Sequence, residues 1–252
     1  MSESGIADHR DVLRLRHRVN GFLVGSSLVS QPDVARAARH LAYGRVKVCG
    51  LTRPQDAKLC WLKGATWGGV IFAPKSPRQV TAARALEIRR ASPLKLAGVF
   101  VDAQPAHVAE LAAALSLNAV QLHGDETKDY IDNLRQHLPD NCAVWKAFQV
   151  RDHIPLPSAF HADKLLLDTY RKGLQGGTGE VFDWRAIHHH PERHRLIVAG
   201  GLSPHNATDA DALDVHLLDV NSGVESAPGV KDPKLLAAFF EALRSGERSS
   251  NS

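Results

Sequence analysis

Three cysteines in 252 residues, Cys49, Cys60 and Cys142, show no CxxC spacing and cannot all pair with one another. A disulfide framework is therefore not expected, and a reducing, cytoplasmic setting is. No apolar run approaches the roughly 18 residues that a bilayer span requires, and the opening MSESGIADHRDV lacks the apolar centre of a signal peptide. A soluble chain with no membrane partner follows as the expectation. No glycine-rich GxGxxG turn follows an early strand, which removes the mark of a dinucleotide-binding open sheet. Charge of one sign never gathers into a block, and the formal net charge is only +4. Arg36 and Arg39 with Arg45 and Lys47, and Arg185 to Arg195 with its histidines, read as solvated faces and loops. No aromatic residues interleave them as base-stacking platforms would require, so nucleic acid is not an expected partner. His188, His189 and His190 are adjacent, and adjacent side chains do not converge on one ion, so a solvent-facing turn is expected and no metal.

What is present is a regular alternation. From residue 45, apolar runs of strand length recur at 45–49, 68–73, 96–101, 119–124, 143–148, 164–168, 195–200 and 217–222. Between and after them lie stretches with helical spacing, among them PQDAKLCWLKG, TAARALEIRRA, PAHVAELAAALS, TKDYIDNLRQHL and DPKLLAAFFEALRSG. Near-continuous apolar strands imply a sheet covered on both sides. Eight strand–helix units in about 200 residues predict an α/β fold, a parallel (β/α)8 TIM barrel. Residues 1–44 stand apart: DHRDVLRLRHRV is helical in pattern, GFLVGSSL reads as a strand and QPDVARAARHLAYG as an amphipathic helix. This predicts a helix–strand–helix extension on residues 1–44, a barrel on 45–246 and a polar tail on 247–252. The connection TYRKGLQGGTGEV, after the sixth strand, reads as a glycine-rich mobile loop over a site.

In such a barrel the chemistry lies at the carboxyl ends of the strands. The residues there include Cys49, Asp102, His123, Asp168, Gly200, Gly201, Ser222 and Gly223. Cys49 alone reads first as a small core hydrophobe, as most free cysteines are. Together with Asp168 it supplies two proton carriers across one barrel mouth. AGGLSPHN and NSGVES put small residues directly after the seventh and eighth strands, where exposed backbone N–H groups can cradle a phosphate. FAPKSPRQVT brings Lys75 and Arg78 to the same rim, and an arginine there can grip a planar carboxylate with two parallel hydrogen bonds. His123 reads either as an orienting group for water or substrate or as a satisfied core histidine.

In order along the chain, KVCGLTRPQDA, GGVIFAPKSPRQV, LAGVFVD, AVQLHGDE, LLLDTYRKGLQGGTGEVFDW, AGGLSPHN and DVNSGVESAPGVKD resemble the successive signatures of the phosphoribosylanthranilate isomerase family. SESGI and NGFLVGSSLVSQPDVARAARHLAYG resemble the closing part of indole-3-glycerol-phosphate synthase, the enzyme fused ahead of the isomerase in bifunctional chains. The earlier synthase strands and a catalytic lysine and glutamate set for ring closure are not found, so synthase activity is not expected. Ser4 with Gly5 and Gly25 with Ser26 resemble that enzyme's phosphate-holding turns and read as relics.

The resemblance implies an Amadori rearrangement of N-(5-phosphoribosyl)anthranilate in tryptophan biosynthesis, with no metal or organic cofactor and a monomeric barrel. It implies Asp168 as general acid, Cys49 as general base, Arg78 on the substrate carboxylate, and Gly200, Gly201, Ser222 and Gly223 on the phosphate. The thiol of such a base needs its pKa lowered towards neutrality, by Arg78, Lys47 or oriented amides, and the acid needs its pKa raised. Asn221 stands where many family members carry a second serine, and the loop after the sixth strand is slightly longer than the shortest family forms. The related histidine-pathway isomerase carries an aspartate at the position of Cys49, and a non-catalytic scaffold barrel would have lost a proton carrier or a phosphate turn.

Overall fold

The computed structural model describes residues 5–246 apart from 17, 20, 151–152 and 169–183. Eight parallel strands close into a barrel in sequence order: β1 (Val46–Val48), β2 (Trp67–Ile71), β3 (Lys95–Phe100), β4 (Ala119–Leu122), β5 (Ala143–Gln149), β6 (Lys164–Asp168), β7 (Leu196–Ala199) and β8 (Leu217–Val220). Pairing of Val46 with Leu218 and Val48 with Val220 joins the last strand to the first, and this leaves the barrel without a free edge. Each strand falls within or beside one of the apolar runs. A short antiparallel hairpin, β9 (Glu225–Ala227) with β10 (Val230–Lys231), follows β8.

The helices start where the sequence provides caps. Thr81 accepts from the Arg84 amide at the head of α5 (Ala82–Ala91), and Thr127 does the same for Tyr130 in α7 (Lys128–Arg135). Proline opens α4 (Pro54–Lys63), α6 (Pro105–Ala114) and α10 (Pro233–Ser245), where its missing N–H costs nothing. The units after β6 and β7 carry only α8 (Arg185–His188) and α9 (Ala207–Asp211) among the described residues.

Alternation along the strands divides the core in two. One set of strand residues, including Val46, Val70, Leu96, Val120, Val144, Leu165 and Val198, packs outwards under the helices. The other points inwards. At the amino-terminal end the interior is apolar, with Trp67, Ala97, Ala119, Trp145, Leu166, Ile197 and Leu217 in one cluster. Each fully buried Val, Leu or Ile stabilises the fold by roughly 1.5–3 kcal/mol relative to exposure. Towards the carboxyl-terminal mouth the inward residues turn polar, with Lys47, Gln121 and Asp219 all buried.

The described residues before β1 lie against the amino-terminal end of this barrel. They form α1 (His9–Leu15), α2 (Ser26–Val29) and α3 (Val34–Tyr43). The strand expected in GFLVGSSL is reduced to an isolated bridge at Phe22, and its last three residues enter α2, which begins after Gly25. A closed barrel offers that apolar segment no edge to pair with. Arg36 and Arg39 are likewise not simply solvated. Arg36 donates to the carbonyls of Thr66 and Pro93 at 2.9 and 2.8 Å, and the Arg39 guanidinium lies 3.7 Å over the Trp61 ring. The tail 247–252 and the segment TYRKGLQGGTGEV, 169–181, expected as a loop, lie outside the described residues. His188 and His189 are exposed as expected, whereas His190 is buried under its own turn and accepts from the Glu192 amide. No helix among the described residues is long and apolar enough to cross a membrane.

Candidate active site

The strand ends converge on a cavity of about 480 Å³ at the carboxyl-terminal mouth. Cys49, just past β1, and Asp168, the last residue of β6, both line it, as do Arg78, His123, Gly200, Gly201 and Ser222. The two proton carriers expected from the sequence therefore face one space from different sides of the barrel. Gly223 lies behind the wall: a Cβ on it would stand 1.9 Å from the Leu202 carbonyl oxygen, so the β8 turn packs on the β7 turn only with glycine there. Gly201, in the left-handed region at φ +72°, has open space where a side chain would be. Among the described residues the backbone N–H groups of Gly201, Ser222 and Gly223 have no hydrogen-bond acceptor. Gly201 and Ser222 line the cavity, so two of these donors belong to its wall and the third, that of Gly223, to the turn packed behind it.

Beneath Cys49 runs a buried polar chain that the sequence reading did not assemble. Lys47, expected among solvated charges, is fully buried two residues before Cys49 on the same inward face of β1. Its ammonium donates to Asp219 Oδ2 at 2.6 Å, Gln121 Oε1 at 2.8 Å and Cys49 Sγ at 3.4 Å. Burial works to lower the Lys47 pKa, but the Asp219 and Cys49 charges beside it raise it above its ordinary value, so it stays an ammonium. Asp219 keeps one buried oxygen, Oδ1, with no hydrogen-bond partner among the described residues and also lines the cavity. The Cys49 thiol is not lowered as expected. Burial pushes it up, and Lys47 only partly pulls it back.

Because Gln121 Oε1 accepts from Lys47, its Nε2 is the end that meets His123 Nε2. His123 must then accept there and carry its proton on Nδ1. Burial first, and the charges of Lys47 and Lys146 second, push His123 down to about 3, so it is a neutral imidazole.

Arg78 reaches the cavity but is already held from behind. Glu225 of β9 accepts from its Nε and Nη2, and Lys231 of β10 also donates to that carboxylate at 2.7 Å. Glu225 and Lys231 were not singled out in the sequence. Arg78 Nη1 makes no hydrogen bond among the described residues and remains for a ligand. Asp102 is exposed, its carboxylate accepting from the Asp125 amide at 2.7 Å, and it does not line the cavity. Among the described residues no group of three or more His, Cys, Asp or Glu side chains is arranged to hold a metal ion.

Residues 46–242 match the family of N-(5'-phosphoribosyl)anthranilate isomerases, and residues 1–41 match indole-3-glycerol phosphate synthase. The chain belongs to the phosphoribosylanthranilate isomerase family. It is 45% identical over 244 residues to the tryptophan biosynthesis protein TrpCF of Salmonella typhi, covering 97% of this chain and 53% of that relative. It thus spans about half the length of that protein. The phosphoribosylanthranilate isomerase structure from Thermus thermophilus is similar at a TM-score of 0.68 and 35% identity, covering 80% of this chain and 98% of its own. A phosphoribosylanthranilate isomerase in complex with reduced 1-(o-carboxyphenylamino)-1-deoxyribulose 5-phosphate is similar at 0.64 and 32%, covering 81% and 99%. The matched family region contains the whole barrel, and the synthase-like segment is the extension on its amino-terminal end.

Proposed function

We propose that the cavity at the barrel mouth isomerises N-(5-phosphoribosyl)anthranilate to 1-(2-carboxyphenylamino)-1-deoxyribulose 5-phosphate, with Cys49 and Asp168 as the proton carriers. The observation that carries this reading is that both line one cavity whose rim also holds Arg78 and the turns after β7 and β8. Asp168 protonates the ribose ring oxygen. As the bond from that oxygen to C1 breaks, the anthranilate nitrogen lone pair forms a C1=N iminium. Cys49, as thiolate, then takes the proton from C2; the C–H pair becomes C1=C2 and the iminium pair returns to nitrogen. The resulting enol gains a proton at C1 and loses one from its hydroxyl, giving the ketone. Such acid–base steps contribute typically ~10²–10⁴-fold each.

Holding both ends of the substrate fixes the ribose between acid and base. The amides of Gly201, Ser222 and Gly223, with Gly200 shaping the turn, suit the phosphate, and Arg78 suits the anthranilate carboxylate. Every step is a proton transfer, so the reading needs no cofactor. The barrel acts as a monomer in the cytoplasm, and the extension carries no synthase chemistry. The test is a fluorescence assay following disappearance of freshly generated phosphoribosylanthranilate, run beside the synthase substrate. Loss of signal with the first alone supports the reading; no turnover of the first defeats it, and turnover of the second defeats the assignment of the extension.

A further inference from the structure

A buried thiol makes a poor base unless something stabilises its anion, and burial here works against the anion. The fully buried Lys47 stands 3.4 Å from the sulfur. Its three N–H donors are all assigned, to Cys49, Gln121 and Asp219, so its position is fixed from three strands, β1, β4 and β8. The other charged or titratable groups facing this corner are more remote or are committed elsewhere. Lys231 of β10 and Arg78 after β2 share the Glu225 carboxylate, His123 at the end of β4 is neutral, and Asp168 stands at the end of β6.

We propose that Lys47 is a positioning residue for the isomerisation: its ammonium is the resident counter-ion of the Cys49 thiolate, and Asp219 sets how much of that charge reaches the sulfur. The inference rests on the isomerase reading for its purpose but not for its test. The arrangement holds the anion, once formed, in a pocket that would otherwise expel it. The same ammonium, through Gln121, fixes the tautomer of His123, so one cation orders two groups on the cavity wall.

The experiment is the rate of Cys49 alkylation by iodoacetamide as a function of pH, read by mass spectrometry on the peptide carrying Cys49 so that Cys60 and Cys142 do not contribute. Lys47→Met should raise the pH midpoint by about one unit or more, roughly a ten-fold loss of thiolate at neutral pH. Asp219→Asn should move it the opposite way, because the undivided ammonium then acts on the sulfur. If Lys47→Met does not fold with Asp219 left unpaired, the double variant Lys47→Met/Asp219→Asn keeps the expected rise. Midpoints that stay put, or that move in the same direction for the two single variants, overturn the proposal, since a merely structural role gives no opposite signs. Turnover by the unmodified protein without these shifts defeats this inference alone; the shifts without turnover defeat the isomerase reading alone.

Discussion

Arg78 and Glu225 form a bidentate ion pair, with Nη2 to Oε2 at 2.6 Å and Nε within 3.0 Å of both oxygens. The pair ties the loop after β2 to the hairpin after β8 and leaves Nη1 without a hydrogen bond among the described residues, on a side chain that lines the cavity. A hydrogen bond to a charged group is worth about 1.5–3 kcal/mol, so Arg78→Ala should raise KM about ten-fold or more and leave kcat less affected. Glu225→Gln keeps the arginine but loosens it, so the KM increase should be smaller. Steady-state kinetics of both variants decides this, and a loss confined to kcat would remove Arg78 from substrate binding.

The same carboxylate makes a pH prediction. Burial alone would raise the Glu225 pKa, but its hydrogen bonds and charge contacts with Arg78 and Lys231 bring it below its ordinary value of 4.5. A depressed folded pKa means stability that is present above that ordinary value and is lost as pH falls through the folded one. The gap in melting temperature between the natural protein and Glu225→Gln should therefore be constant near neutrality and shrink below about pH 4.5. A gap that persists unchanged under more acid conditions would rule out the ion pair as its source.

Cys49→Ala and Asp168→Asn should each abolish measurable turnover while the far-ultraviolet circular dichroism and melting temperature stay close to those of the natural protein. Each removes a proton carrier worth about 10²–10⁴-fold, and neither opens a large cavity. Undiminished phosphoribosylanthranilate consumption by either variant would sink the assigned roles.

The barrel was legible because its strands are apolar on both faces and are separated by capped helices, a pattern visible residue by residue from Val46 to Leu243. The strand ends carried Cys49 and Asp168 into view for the same reason. Lys47 reads two ways in the sequence, as a solvated charge among arginines and as a cation able to act on Cys49; its place two residues before Cys49 on one strand puts it on the same face and favours the second. Asp219, Gln121 and Glu225 were not legible at all as a set, since the contacts that define them join strands far apart in sequence. The missing strand in GFLVGSSL failed on context: the segment has strand propensity, but pairing needs an open edge that a closed barrel does not have.

Gly223 tests the contact between the turns after β7 and β8, to which the proposal assigns the phosphate. A methyl group there would overlap the Leu202 carbonyl oxygen, so Gly223→Ala must push the β8 turn off the β7 turn. The open amides of the two turns then move apart. The expected outcome is a KM rise that is reproduced by a weaker inhibition constant for inorganic phosphate, with little change in Cys49 alkylation. An unchanged phosphate inhibition constant would show that the anion is held elsewhere.

The extension makes its own pH test through His9, whose ring meets Asp211 of α9 at 3.0 Å and the Leu41 carbonyl at 2.8 Å. Burial works to lower the His9 pKa, but the hydrogen bond and charge of Asp211 outweigh it, and the net shift is upward from 6.5. A raised folded pKa contributes stability that is complete below the ordinary value and fades as pH rises through the folded one. His40 and His216, pushed down to about 4 and about 3 mainly by burial, act in the opposite sense, destabilising as pH falls below 6.5. Comparison with His9→Gln cancels them. The melting temperature should exceed that of the variant most at pH 6, and the difference should narrow as pH rises past neutrality. A difference that does not vary with pH would mean that His9 holds the extension to the barrel by packing rather than by charge.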